Sequence, residues 1–555
     1  MIGIVCAPEE RPAATELFEL FKTPWEFYDS GRDYKAIIIT ADSREVDLDV
    51  PVMLVFGSRR VWVDEQLGTS TGARSESAGG WIDCGSIAYP VAGHTIQIDE
   101  SGRVRATGPG DVTAVVEFRR GDATVIRCGY DLFSEVERLL TTGQEPECAD
   151  VATLDLHIDA VRSWLVEAIG ILVEIPPVRA GHHYAVCLTH DIDFASIRLH
   201  RWDRTLFGFL YRGTIGSVRD LTTGRGDFRR LIRNWAAVMS LPFVYAGLLS
   251  DPWQPFDSYL AADGTEATFF VVPFPERGGA RLDHARSRRR RVAYDVGDFT
   301  TTLRAISIRG HEVAVHGIDA WHDSEAGRVE RNRIAEVLGK QPTGTRMHWL
   351  CFDEHSPAAL EGAGFEYDAT SGFNDAVGFK AGTAQVFRPI GVKNLLELPL
   401  HVQDTAMFFP GRLNLRERDA WRRLDDLRAA VRRSGGVLTL SWHDRSLAPE
   451  RLWDRFYDRL LEALRSDGVW FGTAGAVVEW FRQRRAVQFT HIDIDGDSIA
   501  VDLHSVDPKA STAGLLIRVH LACEVGSTAI DVPWSGEARL EARLPSLRRK
   551  EAPVP

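Results

Sequence analysis

The chain offers no cysteine framework. Its seven cysteines (Cys6, Cys84, Cys128, Cys148, Cys187, Cys351 and Cys523) are scattered, and no two form a CxxC pair. An odd number spread through a long chain argues against a disulfide scaffold. Net positive charge is also missing. A formal charge of -13 gives no support for binding nucleic acid or an anionic membrane, both of which call for a basic surface. The run "RSRRRR", Arg286–Arg291, is a local exception that reads as a solvated loop. The opening "MIGIVCAPEERPAATELFELF" has no basic n-region and no long apolar core. Neither a secretion signal nor a membrane span is expected, and the cytoplasm is the default compartment. The first 150 residues lack a glycine pattern able to cradle phosphate, which removes support for a nucleotide role.

A chain of 555 residues is too long for one core, since domains run to about 100–200 residues. Apolar runs such as "YKAIIITAD" and "VPVMLVFGS" predict a small α/β accessory domain over 1–150, followed by a connecting helix in 151–180. From 181 to 485 strand candidates alternate with amphipathic helices: "YAVCLT", "ATFFVVPF", "EVAVHG", "RMHWLCF", "FEYDAT", "LELPLHV" and "GVLTLSWH". Helices between buried strands imply parallel pairing with crossovers. The expected class is therefore α/β, with a distorted (β/α)7 barrel or, as the competing architecture, a doubly wound sheet. From 486 to 555 the pattern becomes β-rich, and "RRKEAPVP" reads as a frayed tail.

In a barrel, chemistry gathers at the C-terminal ends of the strands. "CLTHDIDF" places two carboxylates, Asp191 and Asp193, at the end of an apolar run. Buried carboxylates so close together need something to offset desolvation and repulsion. Later strand ends supply more polar groups: His316, Asp319 and His322 in "HGIDAWHD", Arg346 and His348 in "RMH", His401 with Asp404, and His443 with Asp444. Two imidazoles and a carboxylate suit zinc or another first-row divalent ion. Such a cation would offset the paired aspartates.

These residues carry a resemblance. The middle region resembles the polysaccharide deacetylases of the NodB-homology, carbohydrate esterase 4 type. Their Thr-Phe-Asp-Asp-Gly motif looks here like "THDID", Thr189–Asp193, a variant seen in a branch with an N-terminal α/β domain. Carried across, Asp191 matches the catalytic base and Asp193 the metal aspartate. The family's two histidines four residues apart correspond to His316 and, six residues on, His322, with Asp319 as the substitute ligand. The Arg-x-Pro motif looks like "TGTRMHW", in which Arg346 would position the base and His348 replaces the proline. "LTLSWH" resembles the closing motif, making His443 the general acid with Asp444 or another carboxylate tuning it.

The resemblance implies a metal-dependent hydrolase that removes an N-acyl group, foremost N-acetyl, from a carbohydrate or glycoconjugate precursor. One divalent ion is implied, zinc first, with cobalt, nickel or manganese as alternatives. An amidohydrolase of a non-sugar amide and an inactive carbohydrate-binding barrel are the other readings. A glycosidase fits poorly, because its carboxyls stand about 5–9 Å apart on separate elements. Trp202, Trp253, Trp321, Trp349 and Trp442 are candidates for stacking on a sugar. Metal identity, oligomeric state and the role of the terminal regions are left open.

Overall fold

The computed structural model describes residues 1–40, 46–99, 101–224, 226–495, 498–507, 511–523 and 526–544; the "RRKEAPVP" tail lies outside them. The N-terminal sheet has nine strands and changes character midway. Trp25–Phe27, Ile2–Val5, Ala36–Ile39, Val52–Phe56 and Ala123–Cys128 pair in parallel. Thr113–Arg120, Arg103–Thr107, Gly80–Asp83 and Ala88–Val91 then extend the sheet antiparallel. Helix Leu132–Thr141 turns Leu132, Phe133, Val136, Leu139 and Leu140 inward, the spacing of a one-faced helix. Helix Thr153–Ile169 joins the same core through Leu154, Ile158, Val161 and Leu165.

The named strands of the central sheet all pair in parallel, with one antiparallel bridge from Phe387 to Glu397 at its edge. Its order is Leu396–Glu397, Tyr367–Asp368, Gly344–Met347, Glu312–Gly317, Thr268–Val271, Ala185–Ile192, Val437–Ser441 and Val402–Gln403, with Trp470–Phe471 also paired to Ala185–Ile192. Ala185–Ile192 is buried at all eight positions, as expected where both faces of a parallel sheet are covered. The sheet curls into an open barrel, and the sixth candidate strand divides across its seam. Leu396–Glu397 pairs at one edge and Val402–Gln403 at the other, with Pro399 between them. Proline has no amide hydrogen to continue a ladder, so the segment crosses the seam instead. Around it, Leu398 N donates to Asp368 O at 2.8 Å and Leu400 N to Ser371 O at 2.8 Å. Gly344 is required by close packing: a Cβ there would sit 1.8 Å from the Tyr367 ring.

Helix Ala474–Ala486 plugs the N-terminal end of the barrel. Its first amides reach the strand starts, Ala474 N donating to Thr268 Oγ1 and Gly475 N to Glu312 Oε2, both at 2.8 Å. The C-terminal strands pack against the same end: Val501, Leu515, Ile517 and Val519 share a core with Cys187, Val477 and Phe481. Beyond the connecting helix, Ile171–Glu174 is itself a strand, antiparallel to Leu515–Ala522. Glu174 accepts from His520 Nε2 and from Arg162 Nε. Deleting residues from 486 onward should therefore cost solubility before it costs chemistry. Size-exclusion chromatography of the shortened chain is expected to show aggregate, because the apolar plug and the edge at Ile171–Glu174 lose their cover.

Candidate active site

The structure brings Asp191, Asp193, His316, His348 and His443 around one cavity of about 180 Å³. All come from C-terminal strand ends, where side chains of neighbouring parallel strands point to one rim. Asp191 is held from behind by Arg346, which is fully buried. The Arg346 guanidinium donates to Asp191 Oδ1 at 2.8 Å, Thr189 Oγ1 at 2.6 Å and Ala369 O at 2.9 Å, and lies 4.4 Å over the Phe270 ring. Burial alone would raise the Asp191 carboxyl, but Arg346, then His316 and His443, more than reverse this and hold it below the usual range. Its other oxygen, Oδ2, lies 4.0 Å from His443 Nε2.

His443 is oriented by Asp404. Asp404 Oδ1 accepts from His443 Nδ1 at 2.6 Å and Oδ2 from the His443 amide at 2.7 Å; Ser446 Oγ also donates to Asp404. Burial works against the imidazolium, yet Asp404, with Asp191 and Asp193 behind it, raises His443 to about 9. The tuning carboxylate is thus Asp404. Asp444 lines the same cavity but makes no bond to the His443 ring, accepting instead from the Phe194 and Ala195 amides.

His316 and His348 share one arrangement. Each donates one ring nitrogen to a backbone carbonyl: His316 Nδ1 to Arg346 O at 2.9 Å and His348 Nε2 to Arg290 O at 3.0 Å. This fixes the tautomers and leaves the lone pairs of His316 Nε2 and His348 Nδ1 facing each other at 3.0 Å. Asp193 Oδ1 stands 3.5 Å from the first and 3.3 Å from the second. It is buried without a hydrogen-bond partner. Burial pushes His348 down to about 4, which opposes a compensating proton. Three acceptors converging without a donor between them fit a cation. Among the described residues this is the group whose ligand atoms lie within 4.8 Å of one another.

His348, rather than His322, is the side chain beside Asp193 and His316. A tight turn, closed by His322 N to Asp319 O at 3.1 Å, points His322 at the Asp319 carboxylate, also at 3.1 Å. Asp319 is occupied in turn by the Ala280 amide. Other polar residues on or near these strands are structural. His190 is fully buried between Asp263 and Trp442 O, and His401 bonds the backbone at Thr383 and Thr439. Arg388 pairs with Glu16 of the N-terminal helix at 3.7 Å. Of the tryptophans, Trp253 and Trp442 are wholly buried, whereas Trp349 lines the cavity. Trp349 and Leu350 hold φ of 62° and 50°, a left-handed pair directly after His348. Non-glycine residues are held there only when their surroundings dictate it.

Sequence reading missed Arg290. The basic run is not a solvated loop: it ends helix His284–Arg290, and Arg290 is 1% exposed while Arg286, Arg288, Arg289 and Arg291 face solvent. Its guanidinium donates to the carbonyls of His348 (2.6 Å), Ile318 (2.7 Å) and Gly317 (3.2 Å), and its own carbonyl accepts from His348. The one readable hint, an arginine followed by the apolar "VAY", is weak. Arg290→Met is expected to weaken metal binding by about 10–100-fold, the usual effect of losing a partner behind a ligand; titration with zinc monitored by calorimetry would show it.

No family model and no curated protein matches the chain. Among solved structures, a putative polysaccharide deacetylase from Mycobacterium smegmatis is 20% identical, covering 58% of this chain and 100% of that one, with a TM-score of 0.34. A family 4 acetyl xylan esterase from Clostridium thermocellum, in complex with a cobalt ion, is 15% identical over 53% and 91% of the two chains, with a TM-score of 0.23. A peptidoglycan deacetylase from Bacillus subtilis is 13% identical over 55% and 94%, with a TM-score of 0.24. Likenesses at such TM-scores bear no weight, and the chemistry stands on the side chains described above.

Proposed function

We propose that the chain is a metal-dependent hydrolase that removes an N-acyl group, foremost N-acetyl, from a carbohydrate or glycoconjugate. The observation that carries this reading is the placing of a carboxylate, Asp191, and an imidazole, His443, on one small cavity beside three converging metal-type ligands. The residues Asp193, His316 and His348 would hold one divalent ion. When bound, that ion supplies Lewis-acid polarisation of a carbonyl and activation of water.

The chain's own groups do the rest. Asp191, kept ionised by Arg346, accepts the proton of the attacking water at Oδ2. His443, kept protonated by Asp404, donates from Nε2 to the departing amine. Trp349 offers a flat apolar face at the cavity mouth, suited to a sugar ring. A pure binding module would need neither the charged base nor the charged acid, each of which is costly to bury.

Two measurements test the reading: elemental mass spectrometry of the purified chain, and acetate release from N-acetylated sugars. Near one transition metal per chain with acetate release supports it; no metal after reconstitution sinks it. The pH profile gives a further check. His443, raised to about 9, should donate fully at lower pH and lose activity as pH rises through that value. Asp404→Asn removes the group that raises it, so the alkaline limb should move toward the ordinary imidazole range of about 6.5. An unmoved limb would assign the titration elsewhere.

A further inference from the structure

The connection between strands Ala185–Ile192 and Thr268–Val271 carries a helical hairpin unlike the rest of the surface. Its first arm runs through Arg204–Tyr211, a π-helical turn at Arg212–Gly216 and Ser217–Thr222; its second is Phe228–Tyr245. Each arm has two apolar stripes. The inner stripe packs: Leu206 and Phe209 meet Ala237, Leu241 and Val244 in a small core around Trp253. The outer stripe is bare. On the first arm it comprises Phe207, Tyr211, Ile215 and Val218, all at helical spacing and 41–63% exposed. On the second it comprises Phe228, Ile232, Trp235, Met239 and Phe243, 50–75% exposed. Thirteen of the 22 large apolar side chains exposed among the described residues fall between 199 and 249. An apolar surface so concentrated marks an interaction site.

Charge decides what it meets. Residues 198–249 contain nine arginines against three aspartates, with no lysine or glutamate; Arg233 pairs with Asp454 and Arg212 faces Glu450 from outside the segment, which leaves a net basic surface within a chain of -13. Averaging over the whole chain hides this basic segment. Pairing two copies through these stripes would set one basic segment against another, whereas an anionic bilayer satisfies both features. On such a surface the apolar stripe would enter the acyl boundary while arginines met the headgroups, as for a helix lying in the interface. The surface is also continuous with an open cleft of about 1110 Å³, whose wall includes Tyr211, Arg219, Arg229 and Arg233 and which shares Phe409 and Arg451 with the catalytic cavity. Among the described residues no helix is long and apolar enough to cross a membrane.

We propose that the hairpin Arg204–Tyr245 seats the chain on an anionic membrane surface without spanning it. The assignment is independent of the hydrolase reading, since the hairpin itself contains none of that site's residues. It is tested by floating the full chain with vesicles of phosphatidylcholine, alone or with about one third phosphatidylglycerol. Binding is expected on the anionic vesicles, at least about tenfold weaker on neutral ones, and reduced by salt. Trp235→Ser/Met239→Ser/Phe243→Ser should lose at least about tenfold of that binding while the chain keeps its helical circular dichroism and a cooperative melt, because the three side chains are at least half exposed. Should that variant fail to fold, Arg204→Glu/Arg229→Glu tests the same surface through charge alone. Equal binding to both vesicles, or none, overturns the proposal. So does a wild-type dimer, seen by sedimentation equilibrium, that the triple variant converts to monomer.

Discussion

His348→Ala should strip the purified chain of transition metal and remove on the order of 10³-fold of its hydrolytic rate, whereas His322→Ala should leave both unchanged. The contrast follows from geometry. His348 Nδ1 lies 3.0 Å from His316 Nε2 and 3.3 Å from Asp193 Oδ1, while His322 is turned onto Asp319. A bound metal contributes several kcal/mol of transition-state stabilisation, and each decade of rate corresponds to about 1.36 kcal/mol. His316→Ala should match His348→Ala. Metal retained in His348→Ala but lost in His322→Ala would return the ligand role to the residue that the sequence spacing favours.

Arg346→Met is expected to destabilise the fold by about 3–5 kcal/mol, because Asp191 would keep a buried negative charge without its partner. The pH dependence should change sign as well. With Arg346 present, the folded-state carboxyl of Asp191 lies below its ordinary value. Its ionisation then contributes stability above the ordinary carboxylate range, lost as pH falls through the lower folded value. With Arg346 removed, burial raises Asp191, and stability should instead fall as pH rises through the raised value. Arg346→Met/Asp191→Asn should recover much of the stability and none of the activity, as seen by denaturant unfolding beside an acetate assay. If the double variant is as unstable as the single one, the guanidinium acts mainly through Thr189, Ala369 and Phe270.

Legibility in the sequence tracked how local each signal is. The strands of the central sheet were readable because burial on both faces writes a continuous apolar run, as in Ala185–Ile192. Asp191, Asp193, His316, Arg346 and His443 were readable as candidates because each stands where such a run stops. The division at Pro399 was not, since "LELPLHV" has a strand's composition and only the sheet's curvature separates its two ends. His348 looked like a replacement for a proline. Its place at the cavity depends on the carbonyl of Arg290, 58 residues earlier, and on the left-handed turn that follows. Asp404 as the partner of His443 is 39 residues distant, and Asp444, adjacent in sequence, was the more visible choice. The hairpin's bare, basic surface escaped because net charge is an average, and each of its helices carries a second apolar stripe that a one-sided amphipathic pattern does not anticipate.

The pairing of Ile171–Glu174 with Leu515–Ala522 also sets an order of events during synthesis. The Glu174 carboxylate leaves the ribosome 346 residues before His520, its hydrogen-bond partner. At about 5–20 residues per second, that interval is roughly 20–70 s. Most of the N-terminal core lies ahead of this strand and can assemble meanwhile. The edge at Ile171–Glu174 stays open until its partner is translated, so during that interval this short segment is exposed to mispairing, and a chaperone that covered it would protect the nascent chain.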